Sequence, residues 1–362
     1  MVKAYLKGIA RLVVIALVLG GSNVLAAITE YPALQGEQQR LLLLSATDKT
    51  VLEPLILDFQ QLYPNISVIY DERYTVAVYE HFRTQYQAHT SPDVVISSAM
   101  DLQVKLVNDG YAATHEQPMP ADWPQWASWR QQAFGFTYEP AVIVYNRKLI
   151  KPEEVPINRF ELINLLRSDP NRFYLKVGTY DIASSGLGYL FASQDAEQAS
   201  TWGRLTESLS RVQSKLYDQT ADMLNALVKG ELLIAYNVLG SYLETWIQQH
   251  TELAYVLPSD YTLVMSRVAF ISKRAPHAEV AHAFMEYLLS LRGQNILAQR
   301  SFLSPIHPQV SGKQTFSSLQ ASAQGPLRLI RLSPALLIYQ DRMKKAQFLK
   351  DWRVLMQPLH IP

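Results

Sequence analysis

Four short stretches of this chain carry hydroxyl, amide and carboxylate side chains at one kind of place: the step from an apolar run into a helical pattern. They are Ser45-Ala46-Thr47-Asp48, Ser97-Ser98-Ala99-Met100-Asp101, the segment from Gly178 to Tyr189 with Tyr180, Asp181, Ser184, Ser185 and Gly186 inside it, and Tyr236-Asn237-Val238-Leu239-Gly240-Ser241. A loop that ends a strand and opens a helix leaves the first backbone N–H groups of that helix unpaired. The helix dipole adds partial positive charge at the same spot. Small hydroxyls and glycines let an anion or a polar ligand approach those groups. The competing use of such side chains is plain N-capping, which suits Ser184, Ser185 and Ser98, with Asp101 completing a capping box.

The chemistry these residues offer is binding, not bond breaking. No Gly-x-Ser-x-Gly elbow surrounds Ser185. The eight histidines are scattered, with no His-Glu-x-x-His helix and no Gly-x-x-x-x-Gly-Lys phosphate loop. There is no cysteine, so thiol nucleophiles, disulfide scaffolds and cysteine-based metal sites are out. No catalytic residue, resident metal or cofactor is assigned, and enzyme activity is not expected.

Positioning four such loops takes alternating strands and helices. Leu41–Leu44 reads as a strand buried on both faces, followed by a helix over about 51–63 with Thr50 and Glu53 at capping-box spacing. Residues 66–70 and 93–96 read as further strands, the latter feeding a helix that stops at Gly110. Residues 27–39 read as a loose polar arm, and 115–131, with Trp123, Trp126 and Trp129, as a surface segment. Phe134–Tyr138 and Ala141–Tyr145 are aromatic and β-branched strands. Helices follow over about 160–167, 190–213 and 218–228, then an apolar strand Glu231–Ala235. Val280, Ala283, Phe284, Tyr287 and Leu288 keep helical spacing in 278–291. The C-terminal 334–355 reads as one or two helices. Ligands of open α/β sheets bind outside the carboxyl ends of strands. Two polar loops in each half therefore predict a cleft between two α/β lobes.

The N-terminus carries Lys3, Lys7 and Arg11, then an apolar core Leu12–Leu19 and a small-residue site at Val24-Leu25-Ala26. That core is shorter than the roughly 20 residues of a spanning helix. It reads as a signal peptide, residues 1–26, cleaved near Ala26. Removing it takes the formal charge from +1 to about −2. This balance gives no reason to expect a nucleic-acid partner. Export without cysteine, and so without a lipid anchor, points to the periplasm.

Leu42–Asp48, Ser91–Ala99, Val142-Ile143-Val144-Tyr145-Asn146 and Gly230-Glu231 before Tyr236-Asn237 resemble the motifs of periplasmic solute-binding proteins of ATP-binding cassette (ABC) importers, in the branch that includes ferric, sugar-phosphate and phosphoglycerate binders. The likeness covers about 40–310. It implies a type II periplasmic-binding-protein fold with two α/β lobes and two crossing hinge strands. One lobe would comprise 40–138 plus 268–310, the other 146–255 plus 311–362, with crossings at about 138–146 and 255–268. It further implies a monomer that works with an inner-membrane permease, or else presents its closed form to a sensor kinase.

Ferric relatives use an adjacent tyrosine pair, but this chain reads Tyr236-Asn237. Neutral hydroxyls at helix amino ends suit a small organic anion better, such as a sugar phosphate, phosphoglycerate or carboxylate. Ser45, Thr47, Ser97 and Ser98 would bond it from the first lobe, and Ser184, Ser185 and Gly186 would cradle it from the second. Tyr236 and Asn237 would close on its polar body, and Tyr145 would line the hinge. Asp48, Asp181 and Tyr180 are further loop candidates, and Arg267 is a charge partner. Ferric iron binding in the same fold and a periplasmic hydrolase remain the alternatives.

Overall fold

The computed structural model describes residues 27–120, 122–197, 199–301, 303–312 and 315–356. The expected signal peptide lies outside the described residues. Two mixed sheets organise the chain. The first runs β1 (Ala27–Tyr31), β3 (Ile66–Glu72), β2 (Gln39–Ser45), β4 (Val94–Ser97), β13 (Val268–Ile271), β6 (Ala133–Gly135), β5 (Ser128–Trp129). The second runs β14 (Leu327–Leu329), β12 (Thr262–Met265), β7 (Glu139–Asn146), β10 (Ile234–Leu239), β8 (Val177–Tyr180), β9 (Lys215–Tyr217), with β11 (Leu253–Val256) also on β7.

In the first sheet β2 lies parallel to both β3 and β4, as strands linked by crossover helices do. Leu41, Leu43 and Leu44 are buried there, each contributing about 1.5–3 kcal/mol relative to exposure. The helix Lys49–Leu62 turns Leu52, Leu55, Ile56 and Phe59 inward. Phe59 meets Phe284 of the helix Ala278–Leu289 edge-on, 5.2 Å between centroids. The expected loose arm is a strand instead: Ala27–Tyr31 pairs antiparallel with β3, which fills an edge no local pattern announces.

The chain leaves the first sheet after Gly135, joins the second at Glu139, and returns between Met265 and Val268. The two passages lie side by side. Phe136 N–H donates to the Arg267 carbonyl at 3.0 Å, and Arg267 N–H donates to Thr137 Oγ1 at 2.8 Å.

Two expected capping boxes do not form. The first helix starts at Lys49, ahead of Thr50, with Asp48 as N-cap. The helix Met100–Asn108 has Ala99 as N-cap, which puts Asp101 inside its first turn. Beyond β14 a 3-10 turn, Pro334–Gln340, lies on Met100–Asn108 in the first lobe. The last helix, Arg342–Met356, lies on Ala199–Arg211 in the second, where Trp352 stacks on Trp202 at 5.8 Å.

Candidate functional site

Five helices point their amino ends at one cavity between the lobes. Two walls come from the first lobe through Asp48, Thr75 and Ser98. The opposite wall comes from Tyr180, Ser185, Asp218 and Thr220 of the second, and Arg267 reaches in from the return passage. The cavity encloses about 420 Å³ of empty space, counting the part open to solvent. The helices start at Lys49, Thr75, Met100, Gly186 and Thr220. Only Ser185 caps its own helix by side chain, accepting from Gly188 N–H at 3.2 Å; Asp48, Tyr74, Ala99 and Gln219 make no side-chain cap bond. Away from the cavity, Asn158, Asp169, Ser290 and Thr315 cap theirs, while His277 does not. Several leading N–H groups are already engaged: Lys49 N–H donates to Glu72 Oε2 at 3.0 Å, and the Asp101 carboxylate accepts from the N–H groups of Asp101 and Leu102. What the five amino ends share at the cavity is the positive potential of their dipoles.

The two lobes meet across this space. Gly186 N–H donates to Thr75 Oγ1 at 2.9 Å. Gly188 is glycine because a Cβ there would lie 2.3 Å from that of Tyr180. Tyr180 is fully buried and shares a hydrogen bond with Thr220 Oγ1; burial pushes its phenol well up.

Arg267, expected as a charge partner for the ligand, is 1% exposed. Its Nε stands 2.8 Å from Glu139 Oε1, and Nη2 donates to Glu139 Oε2 at 3.1 Å. Nη1 donates to Thr47 Oγ1 at 2.7 Å. Glu139 also accepts from Thr137 Oγ1 at 2.7 Å and from Ser241 Oγ. One ion pair therefore ties a first-lobe loop, both passages and a second-lobe turn together at the cavity wall. Carboxylates stand around it too. Tyr74 is raised by burial and then by the charges of Asp222, Asp218, Glu72 and Asp48. Asp222 is raised by burial and by Asp218.

Of the residues singled out from sequence, Asp48, Ser98, Tyr180, Ser185 and Arg267 line the cavity. Thr47 and Gly186 stand one bond behind it through Arg267 and Thr75. Ser45 and Ser97 are buried turn formers, accepting from Thr47 N–H and Ala99 N–H. Asp181 closes its own turn on Ala183 N–H, and Ser184 Oγ donates to Asp218. Tyr145 sits in β7 opposite Ile234 and Ala254, packed in the second lobe's core.

Tyr236 and Asn237 belong to β10 rather than to a loop after it, at a bulge where Asn237 takes φ +59°. Both bond Asp195: Tyr236 Oη and Asn237 Nδ2 donate to Oδ2 at 2.8 and 2.7 Å. Tyr261 Oη donates to Asp195 Oδ1 at 2.8 Å, and Arg159 Nε donates to Tyr236 Oη at 2.6 Å. This buried hub, with the Tyr236 phenol pushed well up by burial, lies away from the cavity.

Sequence reading missed Thr75, Asp218 and Thr220. The last two open a fifth copy of the strand–polar–helix pattern, hidden because β9 has only three residues. Nothing in Arg73-Tyr74 marks Thr75. Among the described residues no group of three His, Asp or Glu side chains stands close enough to hold a metal ion.

A family model described as bacterial extracellular solute-binding protein matches residues 41–303. The chain is similar to the substrate binding protein of an ABC transporter from Agrobacterium tumefaciens, with 34% identity and TM-score 0.88 over 93% of this chain and 100% of that one. Iron-bound HitA from Pseudomonas aeruginosa matches at 18% identity and TM-score 0.66, over 87% and 99%. AfuA from Actinobacillus pleuropneumoniae, with exogenous fructose-6-phosphate bound, matches at 14% and 0.74, over 88% and 99%. At those identities the last two share the fold alone. No curated protein matches the chain.

Proposed function

The chain belongs to the bacterial extracellular solute-binding protein family, and from that premise we propose that it captures a small organic anion in the periplasm and delivers it to the permease of an ABC importer. Its two lobes and paired passages are the type II periplasmic-binding-protein fold. It is a binding protein, not an enzyme. The observation that carries the anion reading is the convergence of five helix amino ends, and so of five positive dipole ends, on one cavity. Backbone N–H groups so arranged bind phosphate or carboxylate oxygens without a free cation.

A ferric site asks for several anionic oxygens, phenolates among them. Here the phenol of Tyr236 is buried in the Asp195–Arg159 hub, which supports an organic solute over iron.

The test is a thermal-shift screen of sugar phosphates, phosphoglycerates, carboxylates and Fe(III). A solute at about 100 times its Kd adds about 2.7 kcal/mol of stability. A phosphate or carboxylate should raise the Tm. Stabilisation by Fe(III) alone, with tyrosinate colour, would overturn the anion reading. Uptake of the solute identified should fail in a strain lacking the protein.

A further inference from the structure

The fixed charges on the cavity wall do not match a site for a bare anion. Arg267 is the cationic side chain that reaches the wall, and Glu139 takes two of its guanidinium nitrogens. Both Glu139 oxygens are themselves doubly engaged, by Arg267 with Thr137 on one and by Arg267 with Ser241 on the other. That pair is neutral and spent.

Two more carboxylates face the same space, Asp48 from the first lobe and Asp218 from the second. Asp48 makes no cap bond although it occupies the N-cap position. Asp218 accepts from Ser184 on one oxygen, Oδ1. Neither forms an ion pair with a cation among the described residues. Both keep acceptor capacity free, in a wall where the helix amino ends supply the donors.

We propose that Asp48 and Asp218 are specificity-determining residues, accepting hydrogen bonds from hydroxyl or ammonium groups of the solute while its anionic group sits on the helix amino ends. This rests on the reading of the cleft as an anion site and names which anions it takes. A solute with donors away from its charged group satisfies both sets of protein groups. An anion without donors meets two uncompensated negative charges at short range and is turned away. A hydrogen bond to a donor of the solute discriminates more strongly than an apolar contact does.

The experiment compares fructose 6-phosphate and glycerol 3-phosphate with methyl phosphate and sulfate at pH 8, where the latter two carry no hydrogen-bond donor. Binding is read by calorimetry on the native protein and on Asp48→Asn and Asp218→Asn. Asparagine caps a helix as aspartate does, and Asp218 is an exposed loop residue, so both variants should fold. The native protein should bind at least one hydroxylated phosphate about tenfold or more tighter than methyl phosphate or sulfate. Each variant should bind the donor-free anions more tightly than the native protein and narrow that gap. Equal binding of all four by the native protein, or an unchanged gap in both variants, overturns this inference and leaves the anion reading standing. Silence of all four probes with all three proteins overturns this inference, and with no Tm rise from any carboxylate in the screen above it overturns the anion reading as well.

Discussion

Glu139 and Arg267 form a buried ion pair where the two passages between the sheets run side by side, with Nε 2.8 Å from Oε1 and Nη2 3.1 Å from Oε2. Each carries the other's charge out of water. Removing one leaves its partner buried and uncompensated, which costs about 3–5 kcal/mol, whereas replacing both by apolar groups is often neutral. Arg267→Met should therefore lower the urea midpoint sharply. Adding Glu139→Met should restore most of it. A double variant no more stable than the single one would show that the pair does not act as a unit.

Thr75 and Gly186 make the hydrogen bond that spans the cleft. Thr75→Val keeps the shape and removes the acceptor. It leaves an N–H without a partner in the closed form, at a cost of about 1–3 kcal/mol. The open form exposes that group to water and loses nothing. The variant should populate the open form more, seen as a larger radius of gyration in solution scattering, and should bind its solute roughly five- to a hundredfold more weakly. An unchanged affinity and radius would remove Thr75 from closure.

Asp101 should set a pH dependence. It is buried, accepts from Gln340 Nε2 and faces Lys345 of the last helix. Burial, the largest influence, pushes its carboxyl up to about 6 from the ordinary 3.8. A raised carboxyl favours the folded form at low pH. That contribution is fully present below about 4 and is lost as pH rises through about 6. At pH 7.5 the cost of ionising it is on the order of 3 kcal/mol, and at pH 4.5 about 1 kcal/mol. Asp101→Asn should stabilise the protein at pH 7.5, and the gain should shrink toward pH 4.5. A gain that does not vary with pH would assign the effect to packing instead.

Local pattern revealed the alternation of strands and polar-loop helices, because buried parallel strands and amphipathic helices each leave a signature of a few residues. It placed Asp48, Ser98, Tyr180 and Ser185 near a shared cleft on that basis. It did not reveal which hydroxyls face the cavity. Ser45 and Ser184 differ from Ser98 only by what folds against them. The burial of Arg267 depends on Thr47, 220 positions away, and the Asp195 hub on partners 36 to 66 positions away. Such contacts carry no local periodicity. β1 escaped for a related reason: an edge strand with alternating exposure looks like a polar arm until its neighbour β3 is in place.

The path of residues 334–356 has a mechanical consequence. Only Asp341 separates the turn resting on the first lobe from the helix resting on the second. Residues two positions apart in a chain span at most about 7 Å. The lobes are leashed at that corner. While Gln340 holds Asp101, the jaws part there by no more than the slack of one residue, and a wider gape must swing about the leash as well as about the crossing strands.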